Sequence, residues 1–456
     1  MYENILLTSQ PLMDFVLNHI LSIILFSENG IMLKQNIEHK NKDHDINPII
    51  GLYPKGLPIQ TSDFSWQKYA SQQSPCYITT GYSIQLLAKA ASFISEHPEI
   101  FKSHSLASAI QAKLINISNL QLDYCLENIQ NSNHSIEAYV SILEGCLAVA
   151  RLEDKPNHSL YNTIDMIYSK LSGISIVNYA NTLELSKIIN GLHYMIHSIP
   201  SHPTAEETIC SIALELVERR NYLGLFQRDR FNRRTAPLSW QFYCIASLLL
   251  AYSICPIDKI IEEAFSAFNQ LYQLSWNSYL DLFSFSRKLR IRHTPLEIAS
   301  IVKALNLLLS WVSSEEQYER LYQILHNSYF PILSKEFFIN YYKSISALYN
   351  NFLDRFKFSS RLKTIKHTGR TLTAPVFPSA IQITSAQSFS SSLYNSKKLK
   401  IRWLSGSPIH IRYPLELCIQ LIDYLESNYE NKNQQHGEDQ SLDLINLLFS
   451  ILRQNN

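Results

Sequence analysis

RRNYLGLFQRDRFNRRTAPLSWQFYCIASLLLAYSI, residues 219–254, decides the fold. An arginine-loaded aromatic loop (Arg228, Arg230, Arg233, Arg234, Phe226, Phe231) runs into a Pro-Leu-Ser-Trp helix start, and the helix that follows is apolar on nearly every face. A helix without a polar face has to be covered by protein all round. The same unit recurs on either side: TTGYSIQLLAKAASFI from Thr79, NHSIEAYVSILEGCLAVA from Asn133, NTLELSKIINGLHYMI from Asn181, TPLEIASIVKALNLLLSW from Thr294 and KEFFINYYKSISALYNNFL from Lys335. These starts make chemical sense, because Ser, Thr and Asn cap free amide groups and Pro is tolerated in a first turn.

Between them lie segments with a one-sided pattern, such as SLYNTIDMIYSKL, AEETICSIALELVERR and IDKIIEEAFSAFNQLYQL, which keep their charges on one face. Buried and half-exposed helices therefore alternate at intervals of about 40–60 residues, the range of helical repeat units. Two concentric layers of helices demand this alternation, whereas an open superhelix needs one buried stripe per helix. The expected fold class is all-α, a closed toroid of about six helical hairpins over residues 77–356. Residues 1–76 read as an N-terminal helix and an irregular segment, and residues 357–456 as an appendage packed on the toroid, with short strands suggested by the alternation in KLKIRWL.

The run of hairpins, with phrases such as NYLGLF before the buried PLSWQ helix, resembles the six-hairpin (α/α)6 toroid fold shared by many glycosidases, polysaccharide lyases and sugar epimerases. The resemblance covers about residues 77–356 and implies fold and substrate class. It names no catalytic residue.

Composition narrows the field. Lys plus Arg is 40 against 39 for Asp plus Glu, which leaves no global charge to attract nucleic acid or an acidic membrane. The seven scattered cysteines read as buried thiols of a reducing compartment. The apolar run from Pro11 to Phe26 is too short and polar to span a bilayer and has no basic start, so a cytoplasmic location is expected. With only 11 glycines and no phosphate loop, dinucleotide fingerprint, HExxH or paired CxxC, no cofactor is expected. His193 and His197 have i, i+4 spacing but no third ligand in view, and they read as core or helix-end histidines with no metal.

In a toroid, the loops leading into the inner helices share one rim, so rim acids are the first place to seek chemistry. Glu137, Glu184 and Glu297 lie nearest those helix starts, with Glu336 and the loop residue Asp63 as further candidates. Glycoside hydrolysis needs one carboxyl group to protonate the leaving oxygen and another to activate water or attack the sugar. The competing explanation is that Glu in a first helical turn favours the helix dipole. His293 is a candidate acid or base, and Trp240, Tyr82 and Tyr139 are candidate sugar-packing rings against a core-filling alternative. Two successive rim loops are basic, one with Arg228, Arg230, Arg233 and Arg234, the other with Arg290 and Arg292, and arginine forks match carboxylate or phosphate groups. The expectation is a carbohydrate-active enzyme acting on an anionic saccharide by hydrolysis, elimination or epimerisation. Its partner would be a small-molecule or oligosaccharide ligand, with no nucleic acid and no membrane span. The alternative is a non-catalytic helical scaffold that binds a peptide or protein partner.

Overall fold

The computed structural model describes residues 76–97, 104–129, 134–152, 158–173, 179–199, 203–286, 290–330, 380–385, 399–404 and 412–433. In chain order the helices are α1 (Tyr77–Glu96), α2 (His104–Ile129), α3 (Ile136–Ala150), α4 (His158–Leu171), α5 (Thr182–Ser198), α6 (Pro203–Glu218), α7 (Leu238–Ile254), α8 (Asp258–Ser275), α9 (Pro295–Trp311), α10 (Glu315–Gln323, continued by a π turn Ile324–Tyr329) and α11 (Arg412–Asn433). Helices α1, α3, α5, α7, α9 and α11 touch one another in that order, and α11 returns to α1. They form a closed inner ring. Helices α2, α4, α6, α8 and α10 lie outside it, each packed on the inner helix that precedes it.

Burial follows the apolar pattern that separates the layers. In α3 every residue from Ala138 to Val149 is buried, and α7 is buried at Leu238, Ser239, nearly all of Gln241–Leu249, and Ala251. The outer helix α8 buries only Ile260, Ala264, Ala267, Phe268, Leu271 and Ser275, one stripe at helical spacing. Inner helices pack closely: a Cβ added to Gly81 of α1 would lie 2.5 Å from the backbone carbonyl carbon of Ser141 in α3. Only glycine permits that approach.

The loop that opens the reading is held by two buried polar side chains. Gln241 accepts a hydrogen bond from the Phe226 amide (2.9 Å) and donates to the Phe226 and Ala236 carbonyls. Arg219, fully buried, donates to the Ala180 carbonyl and pairs with Glu215. Isolated bridges Arg220–Phe226 and Gln227–Thr235 tighten the excursion, and Gly224 turns it at a φ of 73°.

Three expectations change. The sixth inner place belongs to α11, so the helix predicted from Lys335 does not close the ring; its residues, like the predicted helix at 9–27, lie outside the described residues. The second arginine loop ends in a strand, β3 (Arg290–His293), which pairs antiparallel with β4 (Ala380–Ser385); β4 pairs in turn with β5 (Leu399–Leu404) in the predicted KLKIRWL stretch. A two-stranded ribbon of β1 (Trp276–Asn277) and β2 (Leu282–Phe283) precedes them. Finally, the seven cysteines are not all thiols: Cys210 of α6 and Cys255, just past α7, form a disulfide with a Cα–Cα distance of 6.0 Å. A separation of 45 residues hides this pair in the sequence, while hairpin packing of α6 on α7 makes them neighbours. No helix of the described residues is long and apolar enough to cross a membrane.

In denaturant without reductant, five of the seven cysteines are expected to react with a thiol reagent, matching the five free ones. Reduction should expose all seven and lower stability by about 2–4 kcal/mol in a denaturant titration, the usual contribution of a loop-closing disulfide. Seven reactive thiols before reduction would contradict the pairing.

Candidate active site in the ring axis

The six inner helices run in one direction, because an outer helix returns the chain between each of the first five and because α11 meets α1 at matching depths. Their inward side chains stack in layers. The first layer lies in the second turn of its helices: Tyr82 (α1), Lys187 (α5), Tyr243 (α7) and Glu416 (α11). Glu416 accepts hydrogen bonds from Lys187 Nζ (2.8 Å), Tyr243 Oη (2.6 Å) and Arg412 Nε (2.7 Å). Lys187 also donates to Tyr82 Oη (2.8 Å), and its ammonium lies 4.1 Å from the Tyr243 ring centre. Arg412 continues the network toward the rim by a two-pronged pair with Glu137 (2.7 and 3.1 Å). Burial pushes the Glu416 carboxyl up, but Lys187 and Arg412, with the Lys187 and Tyr243 hydrogen bonds, outweigh it and hold the group down at about 2. The Tyr82 and Tyr243 phenols are pushed well up, first by burial and then by Glu416. This saturated layer closes the axis on the side of the helix starts.

Beyond this floor opens a cavity of about 180 Å³. Its next layer is polar on five of six helices at one fixed place, the ninth residue of each: Gln85, Glu144, Asn190, Lys303 and Gln420. Among the described residues, Glu144 and Lys303 make no hydrogen bond or close ion pair, and Gln85 Oε1 is buried without a partner. Glu144 is only 8% exposed. Burial raises its pKa, opposed by Lys303, Lys187 and Lys89. The Lys303 ammonium is pushed down by burial, against the pull of Glu144 and Asp423.

The third layer is the mouth, formed by Lys89, His193, Tyr194, Leu250, Asn306, Leu307 and Asp423. Exposure grows along α11 from 2% at the Glu416 side chain to 31% at Asp423, which pairs with Lys89. The cavity thus opens where the inner helices end. His193 contacts Ser253 Oγ (3.0 Å) and His197 (3.2 Å), and burial, His197 and Lys303 push its pKa down to about 3. No cluster of three or more His, Cys, Asp or Glu suited to a metal occurs among the described residues.

The structure distributes the sequence candidates around the far rim. Glu137 is bound to Arg412. Glu184 and Glu297 complete capping boxes with Asn181 and Thr294. Burial raises Glu184, with the Asn181 amide opposing. Burial works the same way on Glu297, but His293 and Thr294 outweigh it and hold that group down. His293 is fully buried in β3 with Nδ1 3.5 Å from Glu297, an ion-pair distance without hydrogen-bond alignment. Among the described candidates Tyr82 lines the cavity; Trp240 and Tyr139 do not. Arg228, Arg230, Arg233, Arg234 and Arg292 are exposed at the rim, with Phe231 84% exposed among them, and Arg290 lies in β3 beside Arg292. Glu336 and Asp63 lie outside the described residues. Sequence reasoning missed Glu144, Lys303, Asp423 and Glu416. The available signal was a polar residue recurring nine places into five of the six inner helices.

Removing one partner of the floor strands a buried charge, so Glu416→Gln is expected to cost about 3–5 kcal/mol in urea unfolding. The Glu416 pKa lies below the unfolded value of about 4.3. Its contribution is therefore complete above that pH and is lost as the pH falls toward about 2. Glu416→Gln should flatten the fall of stability with pH across that window; an unchanged acid limb would remove the floor from the account.

No protein-family model matches the chain, and no curated protein matches it by sequence. Solved structures similar to it include an unsaturated glucuronyl hydrolase specific for heparin, with a TM-score of 0.48 and 11% identity over 91% of this chain and 98% of that one. Another is the α-1,6-mannanase GH76A of Salegentibacter sp. HEL1_6, as an inactive variant with α-1,6-mannotriose (TM-score 0.47, 9% identity, 91% and 98% covered) and in a second structure (0.45, 10%, 90% and 99%).

Proposed function

We propose that the axial cavity is the active site of a carbohydrate-active enzyme that hydrolyses a small anionic saccharide, with Glu144 as the proton donor. One observation carries this reading: a carboxyl group 8% exposed, Glu144, faces the cavity with no hydrogen-bond or ion-pair partner among the described residues, one layer above a second carboxyl, Glu416, that accepts three hydrogen bonds. Burial lets Glu144 keep its proton to higher pH, the property a general acid needs to protonate a glycosidic oxygen. Glu416 is saturated by three donors and serves as the anionic floor. The remaining carboxylate of the wall, Asp423 at the solvent-reached mouth, is the group assigned to the attacking water.

Size and charge support the ligand class. A cavity of about 180 Å³ is below the roughly 300–1,000 Å³ of sites for drug-sized molecules, so it suits one ring at the end of a chain. Three lysines face three carboxyls in the wall; Lys187 and Lys89 are paired with Glu416 and Asp423, and protonation of Glu144 leaves Lys303 uncompensated. Side-chain amides of Gln85, Asn190, Asn306 and Gln420 offer donors and acceptors for ring hydroxyls.

The test is turnover of chromogenic glycosides and glycuronides. Glu144→Gln should lower kcat by about 10²–10⁴-fold, the usual contribution of general acid catalysis. The wild-type rate should fall as pH rises through the Glu144 pKa, because the proton donor is then lost. The same substitution removes a carboxyl whose ionisation burial opposes, so its Tm should be unchanged or higher at neutral pH. Full activity in Glu144→Gln would overturn the assignment.

A further inference from the structure

The basic rim and the polar cavity lie on opposite sides of the saturated floor. Arg228, Arg233, Arg234 and Arg292 stand at the end where the inner helices begin, and the Tyr82, Lys187, Tyr243 and Glu416 layer separates them from the cavity. We infer that the ligand enters the ring from the end where the inner helices finish, and that Lys303 is the specificity-determining residue, its ammonium taking an acid group of the ligand. This deepens the proposed function and rests on it for the saccharide, but not for the route or the charge.

Three observations support it. Exposure along the wall increases away from the floor, from Glu416 to Asp423 on α11, while Lys187 and Tyr243 at the floor are buried. Lys303 is the lysine of the wall without a hydrogen bond or close ion pair among the described residues; Lys187 and Lys89 already hold carboxylates. Glu144, likewise without a partner among the described residues, lies in the same layer and can accept from ring hydroxyls or donate when protonated. An acid group on Lys303 and hydroxyls on Glu144 would satisfy both at once, which a neutral sugar would not.

The labelling step reads charge and access without any saccharide. Asn306 lies one helical turn from Lys303 toward the mouth, so Asn306→Cys places a thiol in the path. In the folded full chain this thiol, located by mass spectrometry, should react with an anionic methanethiosulfonate faster than with a cationic one by about tenfold after correction for a free thiol. Adding Lys303→Met should abolish the preference. Gln420→Cys, on the neighbouring helix α11, gives a second position should the first variant fail to fold. Modification at Asn306→Cys should block turnover of a glycuronide, whereas modification at Arg233→Cys on the far rim should leave it unchanged. An unreactive thiol at both cavity positions, a cationic preference, or a preference that survives Lys303→Met would overturn the inference. Intact labelling behaviour with no turnover of any glycoside would instead reject the enzymatic function and leave the route and the Lys303 role standing.

Discussion

A buried charge in the axis of a helical ring has to be neutralised by side chains from other helices, and this constraint organises the molecule. Glu416 is 2% exposed and takes one donor from α5, one from α7 and one from its own helix. Arg412 then reaches α3 through Glu137. Four of the six inner helices are thereby held in register by a single network, and Tyr82 brings in α1. Apolar contacts close the ring but do not distinguish one turn from the next. The floor does, because a slip of one helix by a turn would leave a carboxylate or an ammonium unpaired in a dry environment at a cost of several kcal/mol.

The same constraint explains where a cavity can exist. Within the floor the carboxylate, the ammonium and the two phenols bond to one another. Above it, the ninth residue of five helices is polar while α7 presents Ala246 at that level, and the groups there outnumber their partners. Asn190 shares a hydrogen bond of 3.4 Å with Ser247, but among the described residues Gln85 Oε1, Glu144 and Lys303 have no partner. The ring thus has a dry half that fixes geometry and a wet half that is open to chemistry. Alternation of the two along one axis lets a rigid support hold the wall residues, the arrangement that preorganised sites require.

The sequence made the layered toroid legible because its strongest inner helices, α3 and α7, are apolar all round, and because Asn181 and Thr294 cap as their chemistry suggests. It misled over α11 for a physical reason. Glu416, Asp423 and Glu426 give that helix the charge pattern of an exposed helix, but Glu416 and Asp423 face the axis, where lysines of α5 and α1 meet them. Burial, and Asp423 nearby, push Glu426 up to about 7, opposed by Lys89. Pattern alone cannot tell water from an opposite charge. The pairing of β3 with β4 spans a separation that no local period reveals, and the Cys210–Cys255 bond was hidden for the same reason. Rim acids drew attention because helix starts concentrate carboxyls, and Glu184 and Glu297 are indeed there as caps.

A polar layer with open valences is the less stable choice for a ring interior. Replacing Glu144, Lys303 and Gln85 by leucine-sized apolar groups would fill the axis and remove the desolvation that now raises one carboxyl and depresses one ammonium. Each unsatisfied buried group costs about 1–3 kcal/mol, against a total stability of only about 5–15 kcal/mol. Local rules broken together in one place, with each neighbouring layer obeying them, are the physical mark of a site shaped for something other than the fold. The rim arginines lack that mark, since solvent satisfies them without cost. The cavity is therefore the stronger candidate for function, and in the proposed reading Lys303 and Glu144 carry it because a bound ligand would relieve their cost to the fold.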